Sequence, residues 1–190
     1  MTKLIVVALA SVVFSQLQGC AAAVVGGAAV GTSVALDRRT TGVYVSDQEI
    51  ELKAMERLSK AYPQKTNSIS VTSYNKQVLL TGQVQDEATR SGATDQVKAI
   101  PDVRTVFNEL SVGTVSSFST QASDTTVTSN VKARLLAKDQ VPSSSMKVVT
   151  EAGVVYLMGL LTQAEAKAAA EVASSTSGVT KVVTLFEIVN

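Results

Sequence analysis

Gln77-Val78-Leu79-Leu80-Thr81-Gly82 and Val154-Val155-Tyr156-Leu157-Met158-Gly159 are one pattern written twice, 77 positions apart. Each is an apolar run of strand length closed by a glycine. Ahead of the first stands Ser68-Ile69-Ser70-Val71-Thr72, which alternates polar and apolar as a half-buried strand does. Its counterpart is Ser145-Met146-Lys147-Val148-Val149. Short turns at Asn75-Lys76 and Ala152-Gly153 join each pair, which predicts two antiparallel hairpins.

The repeat extends in both directions. Ile50, Ala54 and Leu58 recur at i, i+4, i+8, and so do Val127, Val131 and Leu135. Each set is the apolar stripe of a helix. Asp47 and Asp124 stand just before them, where a side chain caps free backbone N–H groups. A second helix is expected after each hairpin, over 86–99 and 163–174, the first weakened by Gly92. A last strand closes each copy, at 103–110 and 179–186. Pro101-Asp102 and Ser177-Gly178 end the helices before them.

The order is helix, strand, strand, helix, strand, twice. The step from second to third strand through a helix is a crossover, which makes that pair parallel. The fold class is therefore α+β, with a mixed three-stranded sheet and two helices on one face in each copy. A unit of about 65 residues is marginal alone, which favours packing of the copies on each other.

These features resemble tandem BON domains. The marks are Gly82 and Gly159 ending the second strands, and Asp102-Val103 and Gly178-Val179 opening the last ones. Asp102 departs from the usual glycine. Leu157 to Leu160 and Glu165 to Ala170 are similar to stretches of the dual BON-domain outer-membrane lipoproteins, a Gram-negative family associated with division and outer-membrane stress. The resemblance implies a non-enzymatic role on phospholipid surfaces and in outer-membrane integrity, with localisation at the division site.

The N-terminus reads as an export signal. Met1 to Lys3 make a short basic start, and Leu4 to Leu17 are almost wholly apolar. Leu17-Gln18-Gly19-Cys20 resembles a lipobox, with Gln18 at a place where a small residue is usual. That resemblance implies a signal peptide over 1–19, lipidation of Cys20, and, with Ala21 rather than aspartate next, an outer-membrane anchor on the periplasmic face. The other reading of this run is a transmembrane helix, since about 20 apolar residues span a bilayer; Gly26, Gly27 and Gly31 weaken it. The expected domains are a lipidated N-terminus and flexible tether over 20–45, a first BON domain over 46–112, a linker over 113–122 and a second BON domain over 123–190. Within the tether, Arg38 and Arg39 are candidates to touch lipid phosphates.

Composition narrows the chemistry. The 190 residues carry a net charge of +1, with no histidine, no tryptophan and one cysteine. The commonest general base and metal ligand is thus missing, and no disulfide forms within the chain. No cofactor or metal is expected, nor is nucleic acid, for which aromatic stacking residues are scarce. Asp86, Glu87 and Glu165 read as charges favoured at helix starts, not as a catalytic pair.

Charge separates the two copies. Residues 47–62 carry three basic side chains against four acidic ones; residues 124–138 carry Lys132, Arg134 and Lys138 against Asp124 alone. Those three are the candidate contacts to anionic phospholipid headgroups. The plain alternative is a solvated helix face. Family members carry an aromatic near the position of Thr126, which this chain lacks. A different class of function is an adaptor for envelope-assembly or division proteins. Its candidate surface is the sheet face or edge of the first copy's last strand, with Arg104, Phe107 and Glu109.

Overall fold

The computed structural model describes residues 37–115 and 118–190. The signal segment, Cys20 and most of the expected tether lie outside them. The described elements are α1 (Thr41–Ala61), β1 (Ser68–Tyr74), β2 (Gln77–Val84), α2 (Glu87–Lys98), β3 (Thr105–Val112), α3 (Phe118–Leu136), a 3-10 turn (Ser143–Ser145), β4 (Met146–Glu151), β5 (Val154–Leu161), α4 (Gln163–Ser174) and β6 (Lys181–Ile188). The sheets run β1-β2-β3 and β4-β5-β6. The hairpin pairings are antiparallel (β1 to β2, β4 to β5), and the crossovers give parallel pairs, with Val78 beside Val106 and Val155 beside Val182.

Gly82 and Gly159, expected to end the second strands, lie two residues inside β2 and β5, and their place has a structural cause. Gly82 adopts φ +117° opposite Ile69, and a Cβ there would lie 1.9 Å from the carbonyl oxygen of Ser68. At Gly159 the same approach is looser, at 2.8 Å from the Ser145 carbonyl. The departure at Asp102 has an explanation too. Asp102 and Gly178 both have positive φ, 70° and 87°, and aspartate tolerates that region better than most residues.

Each domain buries its helix stripes on one sheet face. Ile50, Ala54, Leu58, Val78, Leu80, Val84, Ala93 and Val97 form the first core. Val127, Val131, Leu135, Val155, Leu157, Leu161 and Ala169 form the second. The opposite sheet faces pack on each other. Leu79, Tyr74 and Phe107 of the first meet Tyr156, Met158, Leu160 and Leu185 of the second. Residues 38–190 therefore make one compact unit in four layers, helices outside and sheets within. Burial in this seam pushes the Tyr156 phenol up to about 12, with Glu109 and Glu151 adding to it.

This seam changes the adaptor surface expected on β3. Phe107 is packed in it, and Arg104 pairs with Glu187 of β6 at 3.3 Å. The sheet face offered to a partner is already taken by the other domain.

Two aspartates play a different part from the one their position suggests. Helix α1 starts at Thr41, ahead of Asp47, and its cap is Thr40, whose hydroxyl accepts from Val43 N–H. Asp47 is fully buried and clamps the hairpin instead. It accepts from the N–H groups of Asn75 at 2.8 Å and Lys76 at 2.7 Å, and from Ser73 Oγ at 2.8 Å. Asn75 and Lys76 both have positive φ, a turn that costs energy without glycine. Asp124 repeats the clamp on Ala152 N–H at 2.8 Å and Gly153 N–H at 2.9 Å. Likewise α3 begins at Phe118, inside the stretch expected as linker. Residues 118–122, which read as linker, join the helix, and the hydroxyls of Thr125 and Thr126 bond back to Gln121 O and Ala122 O within it.

Candidate functional site

The second domain presents the end of α3 to solvent. Val127, Val131 and Leu135 turn inward, which leaves Lys132, Arg134, Leu136 and Lys138 exposed. The structure divides the three expected basic contacts between two sides of the helix end.

Lys132 lines a groove of about 210 Å³ with Leu135, Leu136, Ser143, Met146 and Val148. Leu136 is 74% exposed there, a large apolar side chain left in water beside a cation. Lys138 lies two residues past the helix end and lines a shallow crevice with Arg134, Ala137, Glu171 and Val172.

Arg134 is engaged within the domain. Its Nη1 donates to Ser175 O at 2.6 Å and Thr176 Oγ1 at 2.9 Å, and its Nη2 to Ser175 Oγ at 3.0 Å. Arg57, its counterpart in the first domain, donates to Gln96 O at 3.2 Å. Both arginines tie the first helix of their domain to the end of the second.

The first domain has the same groove with other chemistry. It is lined by Leu52, Met55, Leu58, Ser59, Tyr62 and Ile69, among others, with a volume of about 310 Å³. At the offset of 77, Met55 stands where the second domain has Lys132, and Ser59 where it has Leu136. Of these two grooves, the second copy's is the one that sets a cation beside an exposed leucine. Sequence reasoning passed over Leu136. The available signal was an apolar residue one step off the Val127-Val131-Leu135 stripe.

The N-terminal arginines are not poised for lipid phosphate. Arg38 makes a forked pair with Glu165, 2.6 Å and 2.8 Å, and Arg39 pairs with Asp47 at 2.8 Å with its side chain only 4% exposed. Glu165 also closes the capping box of α4 with Thr162. The Arg38 guanidinium, helped by the Thr162 N–H, holds the Glu165 carboxyl down at about 2. The folded value lies below the unfolded one, so the pair's contribution is complete above about pH 4.3 and is lost as pH falls through about 2. A carboxyl titration by NMR is expected to show Glu165 with that low midpoint, and Arg38→Ala is expected to return it toward the ordinary glutamate range. An unshifted midpoint in the native protein would contradict the pairing.

Among the described residues no cluster of three or more His, Cys, Asp or Glu is placed to hold a metal, and no helix is long and apolar enough to cross a membrane.

The sequence profile of the BON domain matches residues 46–114 and 123–190. The chain belongs to the BON-domain family. The outer membrane lipoprotein DolP of Haemophilus influenzae is 39% identical to this BON protein over 186 residues, covering 97% of this chain and 95% of that one. The 21 kDa hemolysin of Actinobacillus pleuropneumoniae is 34% identical, over 81% of this chain and 80% of its own. Osmotically-inducible protein Y of Escherichia coli K12 is also 34% identical, over 80% and 77%.

Proposed function

We propose that this BON protein is a non-enzymatic outer-membrane lipoprotein, anchored through Cys20, whose second domain meets anionic phospholipid. It supports outer-membrane integrity, at the division site, from the periplasmic face. The observation that carries the lipid contact is the exposed Leu136 flanked by Lys132 and Lys138. The likeness to an outer membrane lipoprotein, 39% identical over 97% of this chain, supports the anchor and its location.

Magnitudes favour a cooperative contact. Each lysine near an anionic surface contributes roughly 1 kcal/mol. Burying a leucine side chain adds about 1.5–3 kcal/mol. The sum orients a domain already held by an acylated cysteine and recruits it only weakly without one. Leu136 supplies the apolar element that Thr126 does not. Arg134 holds the surface in place through its ties to Ser175 and Thr176.

Co-sedimentation of residues 21–190 with phosphatidylglycerol vesicles tests this. Lys132→Glu with Lys138→Glu is expected to weaken binding by about 30-fold or more at low salt. Leu136→Asp is expected to weaken it even on vesicles where charge binding persists. Adding Arg134→Glu completes the charge reversal, though it also cuts a tie inside the domain. Equal binding by native and charge-reversed proteins would sink the assignment.

A second reading rests on the first domain's groove, where Leu52 is 65% and Met55 46% exposed. A groove that sets these exposed apolar side chains beside Glu56, with no lysine or arginine in its lining, suits a protein partner from envelope assembly or division. Crosslinking from Leu52 to a protein in intact cells, with no vesicle binding by the second domain, is the result that would favour it.

A further inference from the structure

Arg38 and Arg39 are adjacent in sequence but bind different domains. The Arg38 N–H donates to Ser145 Oγ at 3.2 Å, and its Nη1 donates to Leu160 O at 2.9 Å. With the fork to Glu165, all these partners belong to the second domain. Arg39 turns the other way. It pairs with Asp47 of α1 and lies 3.9 Å above the ring of Tyr74 and 5.2 Å from that of Tyr44. Tyr74 then closes the circle, its hydroxyl donating to Ser145 O at 2.7 Å. Thr40 caps α1 at the very next residue, so no slack separates strap and helix.

This junction lies outside the repeat. The offset of 77 lands on Val115 and Ser116, neither of them basic. Neither arginine therefore has a counterpart in the second domain. They serve the one place where the chain from Cys20 enters the body.

That place matters because the body has two helical faces. The sheets pack on each other, so α1 with α2 and α3 with α4 lie on opposite outer sides. The 17 residues between Cys20 and Arg38 can reach at most about 60 Å, long enough to present either side to a membrane. Tether length alone does not choose between them. Arg38 places the point of entry on the second domain, beside Ser145 and the start of α4. The groove of Lys132, Leu136, Ser143 and Met146 adjoins the same Ser143–Ser145 turn.

We propose that Arg38 and Arg39 are positioning residues, a two-sided strap that fixes the tether to the second domain and so turns the α3 face, not the α1 face, toward the membrane. This rests on the lipid-surface reading above. A forked guanidinium–carboxylate pair suits the task, since it sets direction as well as strength.

The test uses the full lipidated protein in phosphatidylglycerol vesicles that contain a lipid with a nitroxide headgroup. One fluorophore is attached through Ala137→Cys beside the α3 groove, or through Ser59→Cys in the groove of the first domain. In the native background the label at 137 is quenched and the label at 59 is spared. Arg38→Glu is expected to lower the ratio of the two by about threefold. Arg38→Glu with Glu165→Arg restores the pair in reverse and is expected to restore the ratio. An unchanged ratio in a folded Arg38→Glu protein would overturn the strap while leaving lipid binding intact. A fall that the exchange fails to reverse would overturn it as well. Quenching of neither label in the native protein would remove the lipid-surface reading and the strap with it.

Discussion

Gly82→Ala is expected to destabilise the protein by about 3 kcal/mol or more, lowering the melting temperature by roughly 6–12 °C. The cause is local and severe. The new Cβ would sit 1.9 Å from the carbonyl oxygen of Ser68, and φ +117° is a region L side chains rarely adopt. Neither atom can step aside cheaply, because Ser68 starts the edge strand and Ile69 lies in register with Gly82. Gly159→Ala is the internal control. Its Cβ would lie 2.8 Å from Ser145 O without a positive φ, so about 1–2 kcal/mol is expected. Thermal unfolding followed by circular dichroism ranks the two. Equal losses would show that the strained φ in the first domain carries no cost of its own.

Asp47→Ala is the second large effect, at about 3–5 kcal/mol. The buried carboxylate accepts from two turn N–H groups, from Ser73 and from Arg39. Its removal leaves the Arg39 guanidinium buried without that counter-charge and a strained Asn75-Lys76 turn without its clamp. Asp124→Ala removes two turn bonds and no buried ion pair, so about 1–3 kcal/mol is expected. The double variant Arg39→Ala with Asp47→Ala is expected to cost less than the sum of the single ones, since each single change strands the other partner. Strict additivity in denaturant unfolding would argue that the pair is not coupled.

The contrast between these aspartates shows what can be read from the sequence. The repeat is legible because strand alternation, turn and glycine recur at one offset. Asp47 and Asp124 precede an i, i+4, i+8 stripe, which is also the position of a helix cap. Their true partners lie 28 and 29 residues on, in a hairpin turn, and no local rule reaches that far. The early start of α1 has the same cause. Gly42 and the valines of 41–46 are poor helix formers, but Thr40 caps them and Arg39 lies near the Tyr44 ring. The docking of the sheets does leave a trace. Val78 to Leu80 and Val154 to Met158 are apolar on both faces of their strands, as a central strand covered on both sides must be.

The candidate site is half legible. Charge asymmetry between the copies points to α3 and its three basic residues. It does not distinguish Arg134, which repeats the structural tie made by Arg57, from the two lysines. Leu136 escapes because a leucine beside a core leucine reads as core. Arg38 reads as part of a tether because its carboxylate partner lies 127 residues away.

The most direct measurement of the central claim is paramagnetic broadening of backbone NMR signals from residues 21–190 on anionic vesicles carrying a spin-labelled lipid. Broadening is expected around Lys132, Leu136, Lys138, Ser143 and Met146, and to fade at high salt. Broadening centred on Leu52 and Met55 of α1, or none at any salt, would contradict the assignment of the membrane face to the second domain.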